Sequence, residues 1–141
     1  MGSPVRISEA GSLALHATAV LAGTEHPRSA EVIAGTLGVS QTHLVKVLQR
    51  LARAGLVRSV RGPGGGYSLA RPPQDISALE VYESIEGPID VSRCVLEVPA
   101  CGWASCVLGD AFCRISKEVR DQLGKVSIAE FGASVSESVG V

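Results

Sequence analysis

The sequence contains no run of about 18 consecutive apolar residues, so no segment reads as a membrane-spanning helix. It opens Met1-Gly2-Ser3-Pro4 with no basic stretch ahead of an apolar block, which argues against a secretory leader and predicts a cytoplasmic protein. Four cysteines are present but no C-x-x-C pair, the motif that a small dithiol redox protein would need. Without a route to an oxidising compartment, those cysteines point to metal or redox chemistry rather than a disulfide frame. No internal repeat is visible, and no obvious catalytic base accompanies the thiols, so an enzyme is not expected. A Gly-rich loop does occur. Neither Lys-Ser nor Lys-Thr follows it and no helix opens after it, which removes the phosphate-cradle reading.

That loop, Arg61-Gly62-Pro63-Gly64-Gly65-Gly66-Tyr67, organises the front of the chain. Four Gly and one Pro in seven residues cannot be helical, because Gly takes positive φ freely and Pro fixes its own φ. It lies between two β-prone runs, 56–60 and 67–70, and so reads as the tip of an antiparallel hairpin. Three helices are expected ahead of it. The first, 8–23, is capped by Ser8 and almost wholly apolar from Ser12 to Ala22 apart from His16, with Pro27 ending the segment. The second, 29–37, puts Ala30, Ile33, Ala34 and Leu37 on one face and has Gly38 as a left-handed stop. The third is capped by Ser40 and runs to about Ala54, with Leu44, Val47, Leu48 and Leu51 inward and Gly55 closing it. Helix, turn, helix and a hairpin with a basic tip is the layout of a winged helix that grips DNA.

Charge supports that expectation. Residues 1–73 carry eight Lys and Arg against three acids, a net of +5, whereas residues 74–141 carry five against eleven, a net of −6. A basic front suits a half that meets a polyanion. The polar face of the third helix holds Gln41, Thr42, His43, Lys46, Arg50 and Arg53 and no acid, unlike the mixed charge of an ordinary surface helix. Thr42 and His43 are the candidates for base readout, with Ser40 and Gln41 beside them. Lys46 and Arg50 are assigned to phosphates and Arg61 to the minor groove, and Arg58 and Tyr67 complete the candidate DNA-binding set on the hairpin.

Behind the hairpin, Arg71-Pro72-Pro73-Gln74 reads as a linker. Ser77-Ala78-Leu79-Glu80 is a capping box that opens a helix to Glu86, with Leu79, Tyr82 and Ile85 inward and Gly87-Pro88 as its stop. Residues 89–107 lack periodicity and hold Cys94, Cys101 and Cys106. A long helix is expected over 108–125, whose stripe Leu108, Phe112, Ile115, Val119 and Leu123 suits a partner helix in a twofold dimer, or packing on the first helix of its own chain. Ser127-Ile128-Ala129-Glu130 is a second capping box for a short terminal turn anchored by Phe131, and the tail from Gly132 is expected to be flexible. Thiolates suit iron–sulfur clusters, which accept uneven spacing on an irregular loop. Three cysteines leave one ligand open. Cys113 and His16 are the candidates, against the plainer readings of Cys113 as a small buried thiol and His16 as a core histidine on a backbone carbonyl.

With hairpin and cysteines placed, the chain resembles the Rrf-two family of bacterial winged helix-turn-helix transcription regulators over residues 5–131. The run from Arg53 to Ala70 carries the resemblance, and Val5-Arg6-Ile7-Ser8, Gly87-Pro88 and Ser127-Ile128-Ala129-Glu130-Phe131 match in kind. The resemblance implies a mainly α fold with a small β-hairpin: a DNA-binding winged helix over 1–73, a connecting helix over 74–90 and a cysteine loop over 91–107. A dimerisation helix and terminal turn over 108–131 and a tail over 132–141 complete it. It implies a homodimer that binds a double-stranded DNA operator and, through Cys94, Cys101 and Cys106, holds an iron–sulfur cluster, 2Fe–2S in preference to 4Fe–4S. Some members place a His soon after the third Cys. Here Val107-Leu108-Gly109 follows, so that ligand is missing. Other relatives use a first-helix His, which makes His16 the preferred fourth ligand. The expected role is sensing redox, nitric oxide or iron–sulfur status. The alternative is a cluster-free member switched by its thiols or by a small effector.

Overall fold

A computed structural model describes residues 7–91 and 106–139. Their order is α1 (Glu9–Ala22), α2 (Ala30–Leu37), α3 (Gln41–Arg53), β1 (Val57–Val60), β2 (Gly66–Leu69), α4 (Ala78–Glu86), α5 (Val107–Lys125) and α6 (Ile128–Val139), with a 3₁₀ turn at Pro73–Asp75. The mainly helical architecture with one antiparallel hairpin is the one expected. None of the described helices is long and apolar enough to cross a membrane.

Local chemistry sets the helix starts. The hydroxyls of Ser8, Ser29 and Ser77 accept the orphan amides of Gly11, Val32 and Glu80. Both capping boxes are complete: Glu80 also takes the Ser77 amide at 3.1 Å, and Glu130 the Ser127 amide at 3.0 Å. Ser40 departs from its expected role. It stands at the N-cap of α3 but makes no side-chain cap bond, because its ψ of 127° turns away from the 154–162° of the working caps. Gly38 takes the left-handed conformation at φ 68° and ends α2 as expected. At the end of α1 the capping is done by Gly23, four residues before Pro27.

The core is built on α1, whose Leu13, Ala14, Ala17 and Leu21 pack against α3, α4 and α6. Leu44, Leu48 and Leu51 form the fully buried row of α3, as its periodicity predicts. On α4 the inward residues are Ala78, Val81 and Ile85, not Leu79, Tyr82 and Ile85. Steps of three and then four keep one stripe, whereas two steps of three wind off it.

Two corrections concern the C-terminal part. The segment after Phe131 continues α6 to Val139 rather than fraying. Ile128 is fully buried, and Gly132 lets α6 approach α1 so closely that a Cβ there would lie 2.9 Å from the Ala22 Cβ. Packing thus overrides the weak helix propensity of a Gly/Ser/Val-rich stretch. The long helix α5 packs on α4, while the main partner of α1 is α6. The expected apolar stripe of α5 splits: Leu108, Phe112 and Ile115 are 45–55% exposed, whereas Leu123 joins the core. The far end of α5 is pinned to the start of α4, with Ala78 N–H donating to Val126 O and Ile128 N–H to Ile76 O, both at 2.8 Å.

Candidate nucleic-acid interface

Burying Leu44, Val47, Leu48 and Leu51 leaves the opposite face of α3 in solvent. Gln41, Thr42, His43, Lys46, Arg50 and Arg53 are all exposed there, and no acid lies on the helix. Ser40 is exposed just ahead of them, and its hydroxyl is not spent on a cap. Arg50 is placed differently from the other cations. Its Nη2 donates to the Ile85 carbonyl at 2.7 Å, which ties it to the last turn of α4.

The wing is held to this helix by backbone geometry. β1 and β2 pair from Val57↔Leu69 to Val60↔Gly66, and Arg58 Nε donates to Ser68 Oγ across the pair at 3.2 Å. Tyr67 exchanges two backbone hydrogen bonds with Arg28, at 2.9 and 2.7 Å, so the residue ahead of the Ser29 cap of α2 forms an isolated β-bridge to the hairpin. Tyr67 is also half-buried against the core, which makes it an anchor of the wing. Gly66 permits the approach: a Cβ there would lie 2.3 Å from the Arg28 carbonyl oxygen. Beyond these fixings Arg61, Gly62, Pro63 and Gly64 project as an exposed tip. The role of Arg28 in docking the wing had no local signal, because the pairing spans 39 residues of chain and uses only backbone atoms.

Of the cysteines proposed as ligands, Cys94 and Cys101 lie outside the described residues. Cys106 occupies the N-cap of α5, where its Sγ accepts the Gly109 amide at 3.3 Å. Helix N-termini accommodate anions, and the thiolate is the form in which cysteine ligates iron, so this donor fits a cluster. Cys113 is buried on the inner face of α5, in keeping with a small core thiol. His16 is half-buried. Its Nδ1 donates to the Ser12 carbonyl at 2.7 Å, and its ring meets Phe131 edge-on at 5.3 Å. The core role is therefore filled, and any metal bond would fall to Nε2. Among the described residues no three His, Cys, Asp or Glu side chains gather closely enough to hold a metal ion.

A family model described as Rrf2, iron-dependent transcriptional regulator, matches residues 7–134. The chain belongs to the Rrf2 family. Its similarity to an HTH-type transcriptional regulator of Azotobacter vinelandii, ORF2, is 33% identity over 86% of this chain and 70% of that one. It spans 61% of the length of two related Neisseria meningitidis regulators. Among solved structures, CymR of B. subtilis, titled the global cysteine regulator, superposes with a TM-score of 0.80 at 29% identity, over 92% of this chain and 98% of that one. IscR of T. potens superposes at 0.79 and 27%, over 96% and 91%. The fold of this Rrf2 protein is thus that of winged-helix transcription regulators.

Proposed function

We propose that this Rrf2 protein is a homodimeric regulator that binds a pseudo-palindromic DNA operator and adjusts its grip through its cysteines. The observation that carries the reading is the exposed, acid-free face of α3 beside a docked wing with Arg61 at its tip. Thr42 and His43, at the start of α3, are the base-reading pair, Lys46 and Arg61 take phosphate and minor groove, and Ser40 and Gln41 support them. Leu108, Phe112 and Ile115 supply the dimer face, and the last two line a groove of about 310 Å³ with Tyr82, Pro88 and Val119. Two copies joined there present two reading helices to one face of a duplex.

Cys94, Cys101 and Cys106 are the sensing thiols, and they are proposed to hold an iron–sulfur cluster with His16 as the fourth ligand. When bound, the cluster supplies a centre sensitive to redox change and nitric oxide. The chain's own part is mechanical: Cys106 begins α5, so a displaced thiol displaces the first turn of the dimer helix. A cluster-free thiol switch is the second reading, favoured by the likeness to the B. subtilis cysteine regulator CymR and to the CymR of Staphylococcus aureus, which has been solved in an oxidised form. Anaerobic purification with a visible spectrum and an iron and sulfide assay separates the two. Brown protein with stoichiometric iron and sulfide, colourless as Cys94→Ala and altered in operator affinity, supports the cluster. Colourless wild-type protein with titratable thiols supports the switch, and failure to bind duplex DNA in every cysteine state at low salt sinks both.

A further inference from the structure

The last turn of α4 carries a demand its own sequence does not meet. The final carbonyls of a helix have no intrahelical partner, and the helix dipole places negative charge there. This turn holds Glu83 and Glu86 and no basic residue. Two of its groups are satisfied locally: the Gly87 amide bonds the Glu83 carbonyl at 2.9 Å, and the Ile89 amide bonds the Glu83 carboxylate at 3.0 Å. The Ile85 carbonyl takes its partner from another helix, in the charge-assisted bond from Arg50. The same turn also holds α1, because the Glu86 carboxylate accepts from the Ser8 hydroxyl and amide and lies against Gly11. Immediately beyond, Gly87-Pro88-Ile89-Asp90 leads into the cysteine-bearing segment.

We infer that Arg50 is a positioning residue. It sets the tilt of α3 against the segment entering the cysteine region, and it does not neutralise a phosphate. One cation serves as the missing C-terminal charge of α4 and as a strut to the reading helix, so a shift of the last turn of α4 moves α3 with it. The neighbouring Lys46, one turn earlier on the exposed face, remains the phosphate contact. The part of this inference that concerns signalling rests on the proposed cysteine sensing.

The test uses the full-length dimer and a duplex selected from a randomised pool with wild-type protein, titrated over a range of KCl concentrations with the cysteines reduced and oxidised, and anaerobically with any bound cluster. Lys46→Met should lower the salt slope of binding by about 1, as loss of one phosphate contact requires. Arg50→Met should leave the slope unchanged and weaken binding, and should bring the affinity ratio between cysteine states towards one. Arg50→Lys, which keeps a cationic donor, should restore much of that ratio, while matched thermal midpoints show that both variants fold. An Arg50→Met slope that falls as far as that of Lys46→Met overturns the assignment. So does a state ratio equal to that of wild type. If wild-type protein binds DNA with no dependence on cysteine state, the sensing reading fails and the slope alone decides the role of Arg50.

Discussion

Replacing Gly66 by Ala tests how the wing is fastened. Gly66 sits at φ 141°, and a Cβ there would lie 2.3 Å from the Arg28 carbonyl oxygen and 2.7 Å from the Ser29 amide nitrogen, all backbone atoms without a flexible escape. Either Arg28 moves away or β2 does, and both routes break the two Arg28–Tyr67 backbone bonds. Two such bonds contribute about 1 kcal/mol each, and a side chain at this φ costs about 1–3 kcal/mol, so Gly66→Ala should destabilise by about 3–5 kcal/mol. Full detachment of the wing sets the ceiling. Urea unfolding with an unchanged m-value measures the loss. Gly35→Ala is the control: it lies within α2 with nothing inside 4 Å of the new methyl, and should gain about 0.5–1 kcal/mol. Because the wing presents Arg61, Gly66→Ala should also weaken operator binding as much as Arg61→Ala does, about 1–3 kcal/mol. A Gly66→Ala protein within about 0.5 kcal/mol of wild type, the scatter of neutral surface changes, would refute the fastening argument.

Phe112→Glu places a charge in the exposed apolar row of α5 and should convert the proposed dimer to monomer in sedimentation velocity. Losing simultaneous engagement of two half-sites should then weaken operator binding by about 10²-fold or more, and a wild-type protein that sediments as a monomer at working concentration removes the dimer from the proposal. Burial raises the Glu80 carboxyl, but the Arg71 guanidinium and the Ser77 amide outweigh it and hold the group below its ordinary 4.5. Its contribution to stability is therefore present above that value and lost as pH falls through the lower folded one. Because the Arg71–Glu80 pair is exposed, Glu80→Gln should cost no more than about 1 kcal/mol at neutral pH, and pH-dependent unfolding should show the gap closing as acid protonates the folded carboxylate. A gap that widens in acid contradicts the sign.

The features that were legible in the sequence are those written in short range. Ser77 with Glu80 and Ser127 with Glu130 each place a hydroxyl three residues before a carboxylate, and each folds into the reciprocal pair that spacing allows. Gly38 and Gly55 sit where only a residue free of Cβ turns the chain cheaply. The spacing of Leu44, Val47, Leu48 and Leu51 settles which side of α3 is left in solvent, because burying one stripe exposes the other. Partners distant in sequence were not legible. Neither the Arg28–Tyr67 bridge nor the reach of Arg50 to Ile85 leaves a mark on local composition. The same holds for α6, whose Gly132 reads as a helix breaker in isolation and becomes a contact surface only against Ala19 and Ala22.

That division bears on how a sensor between α4 and α5 could reach DNA. Segment 92–105 lies between the stretch that follows α4 and the start of α5, so a rearrangement of its cysteines has a covalent route to both helices. α5 cannot slide as a rod, because Val126 and Ile128 bond its far end to Ile76 and Ala78 at the head of α4. A tilt about that pin would move Cys106 and the exposed row Leu108, Phe112 and Ile115 most. Such a tilt would change the angle between partners in a dimer without disturbing the packed core of the reading head. The last turn of α4 offers the other route, since Glu86 holds α1 and the Ile85 carbonyl holds α3 within one chain. The two routes differ in what they need: the first acts only in a dimer, whereas the second acts in a monomer too. An Arg50 variant that loses its state dependence while its dimer stays intact therefore assigns the signal to the strut within the chain, and a Phe112→Glu monomer that keeps its state dependence does the same from the other side.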